Sequence, residues 1–474
     1  MSTSTRIMWF RQDLRVGDNP ALRAAALAGK VIPLFIQEDE DAGDLALGGA
    51  SKVWLHHALC SLNQSLDGHL LVRAGPALPI LEELIEATNA EGVYWNRCYE
   101  PWRMARDTEI KAVLKARGTH CESHNGNLLW EPWEVNKKDG TPYHVYTKFY
   151  RRGCLEAHAP RSPLPKPEEL TFACEKQEAS AIDELKLLPR RDWGETIGKS
   201  WEISEDGAHK RLSDFLEEGL HGYKDDRNYP RKPNVSRLSP YLHFGQISPH
   251  QIWAAVHHHD IDRDADHFLS ELGWREFSYN LLYNNPDLPS TNLQKKFDAF
   301  PWREDQTALK AWKKGLTGFP VVDAGMRELW QTGYMHNRLR MVVGSFLVKN
   351  LMLDWRLGER HFWNCLFDAD LANNSAGWQW IAGCGADAAP YFRIFNPILQ
   401  GEKFDPDGTY TRHYVPELAH MPDKFLFRPW EAPELVLKEA GVTLGETYPK
   451  PIVDVKASRE RALEAFKSLS EGIS

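Results

Sequence analysis

Ile7–Ile36 reads IMWFRQDLRVGDNPALRAAALAGKVIPLFI. Its first four residues, Ile7–Phe10, are an apolar run of the length of a buried strand. Asp18 or Asn19 can cap the helix that Pro20 is suited to begin, and Ala21–Ala28 carries apolar residues at helical spacing. A second apolar run, Val31–Ile36, follows at once. Strand, helix and strand in such close succession predict two parallel neighbours joined by a crossover helix. Working outward, Leu70–Val72 and Val93–Tyr94 read as further strands, and Val53–Leu66, Ala77–Ala90 and Met104–Ala116 as further helices. The expectation is an α/β N-terminal domain over 1–135, a doubly wound, Rossmann-like parallel sheet. The turn after the first strand has no Gly-rich phosphate loop, which argues against a nicotinamide cofactor. NRCYEPW, Asn96–Trp102, follows the fourth strand, where a doubly wound sheet binds ligands.

Beyond that sheet the periodicity fades. Prolines gather at Pro160, Pro163, Pro165 and Pro167, so 136–200 is expected to be an inter-domain connector. Within it TPYHVYTKFYRR, Thr141–Arg152, interleaves aromatic and basic residues, as a helix lying over a domain junction or as a solvated helix. After Trp201 strand signals nearly vanish. Ala208–Glu218, His250–His258, Ala265–Tyr283, Ala308–Lys314, Val321–Thr332 and Leu339–Leu353 all carry the helical period, predicting an all-α domain over 201–474.

Composition bounds the function. A chain of 474 residues exceeds what one hydrophobic core usually organises. No apolar run is long enough to span a bilayer and MSTSTRIMWF has no secretory pattern, so a cytoplasmic location with no membrane partner is expected. The seven cysteines have no metal-ligand or redox spacing and read as reduced, mostly buried thiols. His257, His258 and His259 are adjacent and cannot converge on one ion from a helix, so no metal site is expected. A net charge of -9 argues against nonspecific coating of nucleic acid while leaving room for a local basic face.

Eighteen tryptophans is the unusual count, and two of them sit in Asp368–Lys403, DADLANNSAGWQWIAGCGADAAPYFRIFNPILQGEK. Asp368, Asp370, Asn373, Asn374, Trp378 and Trp380 together suit a wall around a flat, polar, electron-exchanging ring. Ser239 before Pro240 and Ser248 before Pro249 read as two capped helix starts, and such starts suit a phosphate or diphosphate. Ser236 and Ser239 would be its hydroxyl donors, with Arg275 supplying charge. HNRLRMVVGSFLVKNLMLDW, His336–Trp355, reads as one apolar helix whose polar beginning needs partners such as Asp368 and Asp370.

GYKDDRNYPRKPNVSRLSPYLHFGQIS, ELGWREF, TGFPVVDAGMRELWQTGYMHNRLRM, DWRLGERHFW and DADLANNSAGWQWIAGCGADAAPYFRIFNP resemble, in order, the motifs of the DNA photolyase and cryptochrome family. MWFRQDLRVGDNPAL resembles the opening of that family, so the likeness covers nearly the whole chain. It is placed nearest the class I cyclobutane pyrimidine dimer photolyases, since HNRLRM has Met341 where the (6-4) branch usually has histidine.

The resemblance implies a flavoprotein that holds FAD in its helical domain. Tyr223, Val235, Ser236, Arg237, Leu238, Ser239 and Arg275 match positions around the diphosphate and its approaches, Val235 standing where threonine is frequent. Asn337, Arg340, Asp368, Asp370 and Asn374 match those around the ring system and sugar chain. The family's electron relay maps onto Trp378, then Trp355, then Trp302, with Trp312 as an alternative terminus. Trp274 and Trp380 would wall the pocket for a flipped-out pyrimidine dimer, with Glu271, Asn337 and Met341 facing its bases and Arg227, Arg338 and Arg393 its flanking phosphates. The implied reaction is light-driven repair of the dimer by electron transfer from excited reduced flavin, on damaged DNA, by a monomer. A cryptochrome-type photoreceptor is the alternative. Plant cryptochromes commonly place aspartate where Asn374 lies, and only a short segment follows the last motif. A second, antenna chromophore is also implied. NRCYEPWRM departs from the Asn-Glu pair of folate-binding relatives at Trp102 and Arg103, and VYWNRCYEP is more similar to the deazaflavin-binding relatives, with methenyltetrahydrofolate bound differently, or no antenna at all, as the alternatives.

Overall fold

The structure, a computed structural model, describes residues 4–178, 180–388 and 392–471. Strands β1 (Thr5–Phe10), β2 (Lys30–Gln37), β3 (Leu71–Ala74), β4 (Gly92–Asn96) and β5 (His120–His124) form one parallel sheet in the order β3-β2-β1-β4-β5. Ile7 lies opposite both Ile32 and Val93, and Ile7–Phe10 are wholly buried, as a central parallel strand covered on both faces requires. Helices α1 (Pro20–Ala28), α2 (Gly49–Ser65), α3 (Ala77–Thr88) and α4 (Pro101–Ala116) make the crossovers. Asn19 is the cap of α1, accepting from the Leu22 amide, with Pro20 in the first turn. Asp18 has left-handed backbone (φ 46°) and instead accepts from Arg161, the Leu164 amide and the Ser248 hydroxyl. β5 has no counterpart in the expected strands. Its sequence, HCESH, buries only Cys121, so an edge strand of this polarity carries no apolar run to read.

The segment expected as a connector is bonded to the sheet. The Val31 amide donates to Thr171 and the Ala173 amide to Val31, joining this segment to the start of β2. The aromatic and basic stretch forms a short helix, Tyr146–Lys148, that widens into a π-turn over Phe149–Cys154. Tyr146, Phe149 and Tyr150 are buried, which excludes the solvated helix.

The chain divides into two compact units. The first comprises the described residues of Met1–His221, Ser236–Pro286 and Phe367–Ala372; the second, those of Gly222–Val235, Asp287–Leu366 and Asn373–Ser474. This grouping differs from boundaries at 135 and 200, because helices α5 (Pro249–His257) and α6 (Arg263–Asn284) go with the sheet. Buried polar bonds hold them there: Arg15 donates to Gly245 O at 2.9 Å and the Trp54 indole N–H to Gln246 at 2.8 Å. Gly245 has φ 68°, and a Cβ there would lie 2.1 Å from Gln12 O, so only glycine permits this approach.

In the second unit lie α7 (Gln306–Lys314), α8 (Pro320–Thr332), α9 (Asn337–Ser345) and α10 (Trp355–Cys365). The apolar run His336–Trp355 is therefore not one helix. α9 gives way to a π-turn, Phe346–Asn350, and Asp354 caps a new helix at Trp355 by accepting from Arg356 N. α11 (Leu371–Ala382) carries Asn374 and Trp378 one turn apart, on one face. All seven cysteines are free, five of them buried. No helix among the described residues is long and apolar enough to cross a membrane.

Candidate functional site

In the first unit the helical period of α6 sets Arg275 and Tyr279 on one face, with the guanidinium 4.9 Å from the phenol ring. Tyr279 donates its hydroxyl hydrogen bond to Asp370, and Nδ1 of His243 lies 3.9 Å from the same carboxylate. Burial pushes the Asp370 pKa up, yet His243, Arg275 and Tyr279 outweigh it and bring the value down to about 2. Arg275 also donates to Glu276 at 3.1 Å, so the cation expected at a diphosphate already faces two carboxylates, Glu276 and Asp370. Glu276 itself accepts from the Leu129 and Trp130 amides, and burial raises its pKa to about 7.

Both ring nitrogens of His243 are buried and unpaired among the described residues. Unmet polar atoms this deep, beside an arginine and a buried carboxylate, fit a polar ligand group such as FAD provides. Leu238 is buried, Ser236 and Val235 half-buried, Ser239 and Arg237 exposed, and Arg237 is left-handed at φ 52°. Ser239 does not cap its helix. Leu238 stands at that position with no side-chain bond, and the helix, Ser239–His243, is a single turn. Ser248 does cap α5, in a reciprocal pair with Gln251, but its hydroxyl is committed to Asp18. Asp368 is buried in the same unit.

In the second unit Trp378 is 2% exposed and fills the space over Gly358 of α10, where a Cβ would lie 2.1 Å from the indole. Phe362 meets it edge-on at 4.9 Å. Trp355 is fully buried, its indole N–H donating to Asn292 at 2.9 Å, while Trp302 is half-buried against Phe300. Burial thus decreases from Trp378 and Trp355 to Trp302. Trp312 cannot be a surface terminus: it is fully buried, bonded to Val343 O, with its ring 6.2 Å from Trp378. Nearness in sequence to Trp302 misled because α7 turns Trp312 inward.

The Asn374 amide donates to the backbone carbonyl of Glu359 at 3.1 Å, and the Glu359 carboxyl accepts from Ser375. Sequence reading missed Asn292, which lies in no unusual local pattern, and Glu359, whose motif was read only for Trp355. Burial raises the Glu359 pKa to about 7. The folded value lies above the unfolded one, so this group's stabilisation is complete below about pH 4.3 and is lost as pH rises through 7. Glu359→Gln keeps an acceptor for Ser375 and removes the titration. Denaturant unfolding from pH 4 to 8 should show the variant's stability falling less over that range than that of the parent.

Trp274 is half-buried, and one face of its ring is covered by Tyr146 at 3.7 Å with planes 12° apart. Tyr146 also went unrecognised, although it lies in the aromatic stretch noted above. Glu271 lies 3.9 Å from His267 one turn earlier. In the second unit Trp380 is half-buried with the exposed Arg393 guanidinium 5.9 Å from its ring. Arg338 lies over Phe404 at 4.4 Å and donates to Asn228, and Arg227 lies over Tyr223 at 5.1 Å. Burial and then Arg227 lower the Arg338 pKa, the mark of a cation short of counter-charge. Asn337 is exposed at the start of α9, Met341 half-buried one turn on, and Arg340 donates to Met335 O at 2.8 Å. Ala389–Tyr391 of the last motif lie outside the described residues.

Two family models match, DNA photolyase over residues 6–168 and the FAD binding domain of DNA photolyase over 268–468. The chain belongs to the DNA photolyase family. It is 48% identical to the deoxyribodipyrimidine photo-lyase of Agrobacterium fabrum, covering 99% of each chain, and 39% identical to cryptochrome-2 of Arabidopsis thaliana over 98% of this chain and 79% of that one. A solved bacterial class III photolyase from Agrobacterium tumefaciens superposes with a TM-score of 0.94 at 48% identity, covering 99% of this chain and 98% of that one. The likeness drawn from the motifs pointed to class I; this relative is described as class III.

Proposed function

We propose that this chain is a light-driven deoxyribodipyrimidine photo-lyase that acts as a monomer on pyrimidine dimers in DNA. The observation that carries the reading is 48% identity to a photo-lyase along the full length of both chains. FAD, when bound in reduced form, supplies the excited electron that splits the dimer. The protein's part is to bind, orient and exclude water. Arg275, Tyr223, Ser236, Leu238 and Ser239 hold the diphosphate side. Asp368, Asp370, Asn337, Arg340 and Asn374 hold the ring and sugar side. Asn374, kept in place by the Glu359 carbonyl, offers the ring an uncharged amide. That favours retention of a negatively charged reduced ring over the aspartate found in plant cryptochromes, and so favours repair over signalling. Trp378, Trp355 and Trp302 pass electrons inward from the surface.

Trp274 and Trp380 stack on the flipped-out bases, at roughly 1–3 kcal/mol each. Tyr146 stiffens Trp274 from behind. Extrusion costs a few kcal/mol, least at a damaged step. Arg227, Arg338 and Arg393 meet phosphates. Arg338→Ala should weaken binding to dimer-containing DNA uniformly across sequences and reduce the slope of log affinity against log salt by about 1. An unchanged slope in a fluorescence titration would remove Arg338 from the interface.

A second chromophore at the carboxyl edge of the sheet completes the proposal. There Arg103 bridges Glu100 at 3.0 Å and Glu38 at 3.1 Å, beside Trp102 at 4.8 Å. Mass spectrometry of released chromophores distinguishes deazaflavin, methenyltetrahydrofolate and none. The deciding experiment for the whole reading is restoration of intact thymines in dimer-containing DNA under blue light by the reduced protein. Normal FAD binding with no restoration would sink it and leave the photoreceptor reading.

A further inference from the structure

We infer that the first unit carries a second conduit for oxidising equivalents, running from Tyr279 through Tyr99 to Trp133 and using none of the tryptophans assigned above. Tyr279 and Tyr99 are buried with ring centroids 6.1 Å apart, and Tyr99 lies 6.1 Å from Trp133. Trp133 is 42% exposed, so the series leads from the Arg275–Asp370 cluster to solvent. Each phenol already donates to a carboxylate, Tyr279 to Asp370 and Tyr99 to Glu131 Oε1 at 2.8 Å. That pairing is what tyrosine oxidation needs, because a phenol that has lost an electron is a strong acid and must shed its proton at once. The Arg275 guanidinium 4.9 Å from the Tyr279 ring penalises a cationic radical further, so electron and proton must leave together.

The steps balance. A one-electron oxidant, an oxidised flavin excited by blue light, takes an electron from Tyr279, and the phenolic proton passes to Asp370. Tyr99 then reduces the Tyr279 radical and releases its own proton to Glu131, while Asp370 returns its proton to Tyr279. Trp133 reduces the Tyr99 radical, which regains its proton from Glu131. The hole then rests on an exposed indole, where a thiol or ascorbate in solution can quench it. Arg97, 5.9 Å from the Trp133 ring, has its charge offset by two bonds to Glu131 at 2.6 and 2.9 Å, so it leaves that last step open. The alternative is that both phenol–carboxylate pairs serve only to satisfy buried groups.

The inference rests on the flavin reading for its oxidant. The test is flash photolysis of the flavin-loaded, oxidised protein in a Trp378→Phe background, read by electron paramagnetic resonance and transient absorption. The expected result is a transient neutral tyrosyl radical that gives way to a Trp133 indole radical quenched by ascorbate. The tyrosyl radical should vanish with added Tyr279→Phe, and persist unquenched by ascorbate with added Tyr99→Phe or Trp133→Phe. Flavin bound, repair intact in the parent, and no tyrosyl radical in Trp378→Phe would overturn this inference alone. A tyrosyl radical indifferent to Tyr279→Phe would also overturn it. Failure to bind flavin would overturn both this inference and the reading it rests on.

Discussion

Asp370→Ala should cost the protein both its bound FAD and much of the stability of the first unit. The carboxylate is 6% exposed and is the anion facing Arg275, His243 and the Tyr279 hydroxyl. Deleting it leaves the buried Tyr279 hydroxyl without its acceptor and the Arg275 guanidinium with Glu276 as its remaining carboxylate, a change that costs roughly 1–3 kcal/mol. Asp370→Asn keeps the shape and an acceptor for Tyr279 but removes the charge, so it should fold better and still hold FAD poorly. The pH dependence gives an independent check. The folded pKa, about 2, lies below the unfolded value near 3.9, so this stabilisation is present above pH 4 and is lost as pH falls towards 2. Acid unfolding of the parent should therefore be steeper between pH 4 and 2 than that of the asparagine variant. Equal steepness would mean that Asp370 is not held by these partners.

The second large effect is expected from Gly358→Ala, a change that touches no proposed ligand. A Cβ at this position would lie 2.1 Å from one atom of the Trp378 ring, 2.5 Å from another and 2.7 Å from Leu347. A buried helix backbone cannot retreat from such contacts, so the indole must turn or shift. Overpacking of this kind costs roughly 1–3 kcal/mol, set against a helix-propensity gain of at most about 1 kcal/mol for replacing glycine. The net should be destabilising, with a slower photoreduction of oxidised flavin because the first indole of the proposed relay is displaced. Denaturant unfolding and photoreduction rates measure the two effects separately. A variant of parental stability and rate would show that Trp378 has room that the packing denies.

Much of this architecture was legible in the chain. β1, α1 and β2 lay where the apolar runs of Ile7–Ile36 put them, down to Asn19 as cap and Pro20 in the first turn, because buried parallel strands and capped helices have local signatures. β5 and the break after Asn350 were not legible. A polar edge strand is defined by its neighbour β4 and not by its own residues, and a π-turn with a re-capped helix hides within a continuous apolar run. The site divides in the same way. Asn374, Trp378, Asp370 and Arg275 stood out through motif and residue type.

Sequence by itself therefore determined the two kinds of architecture, the family and the residues to inspect, since each rests on local pattern or on ordered motifs. Only the tertiary structure decided that Trp312 is an inner indole, that Tyr146 backs Trp274, and that Glu359 holds Asn374. It alone set each phenol of Tyr99 and Tyr279 against a carboxylate. These are contacts between residues 15 to 128 positions apart, and no local periodicity records which distant side chain will fill a given space.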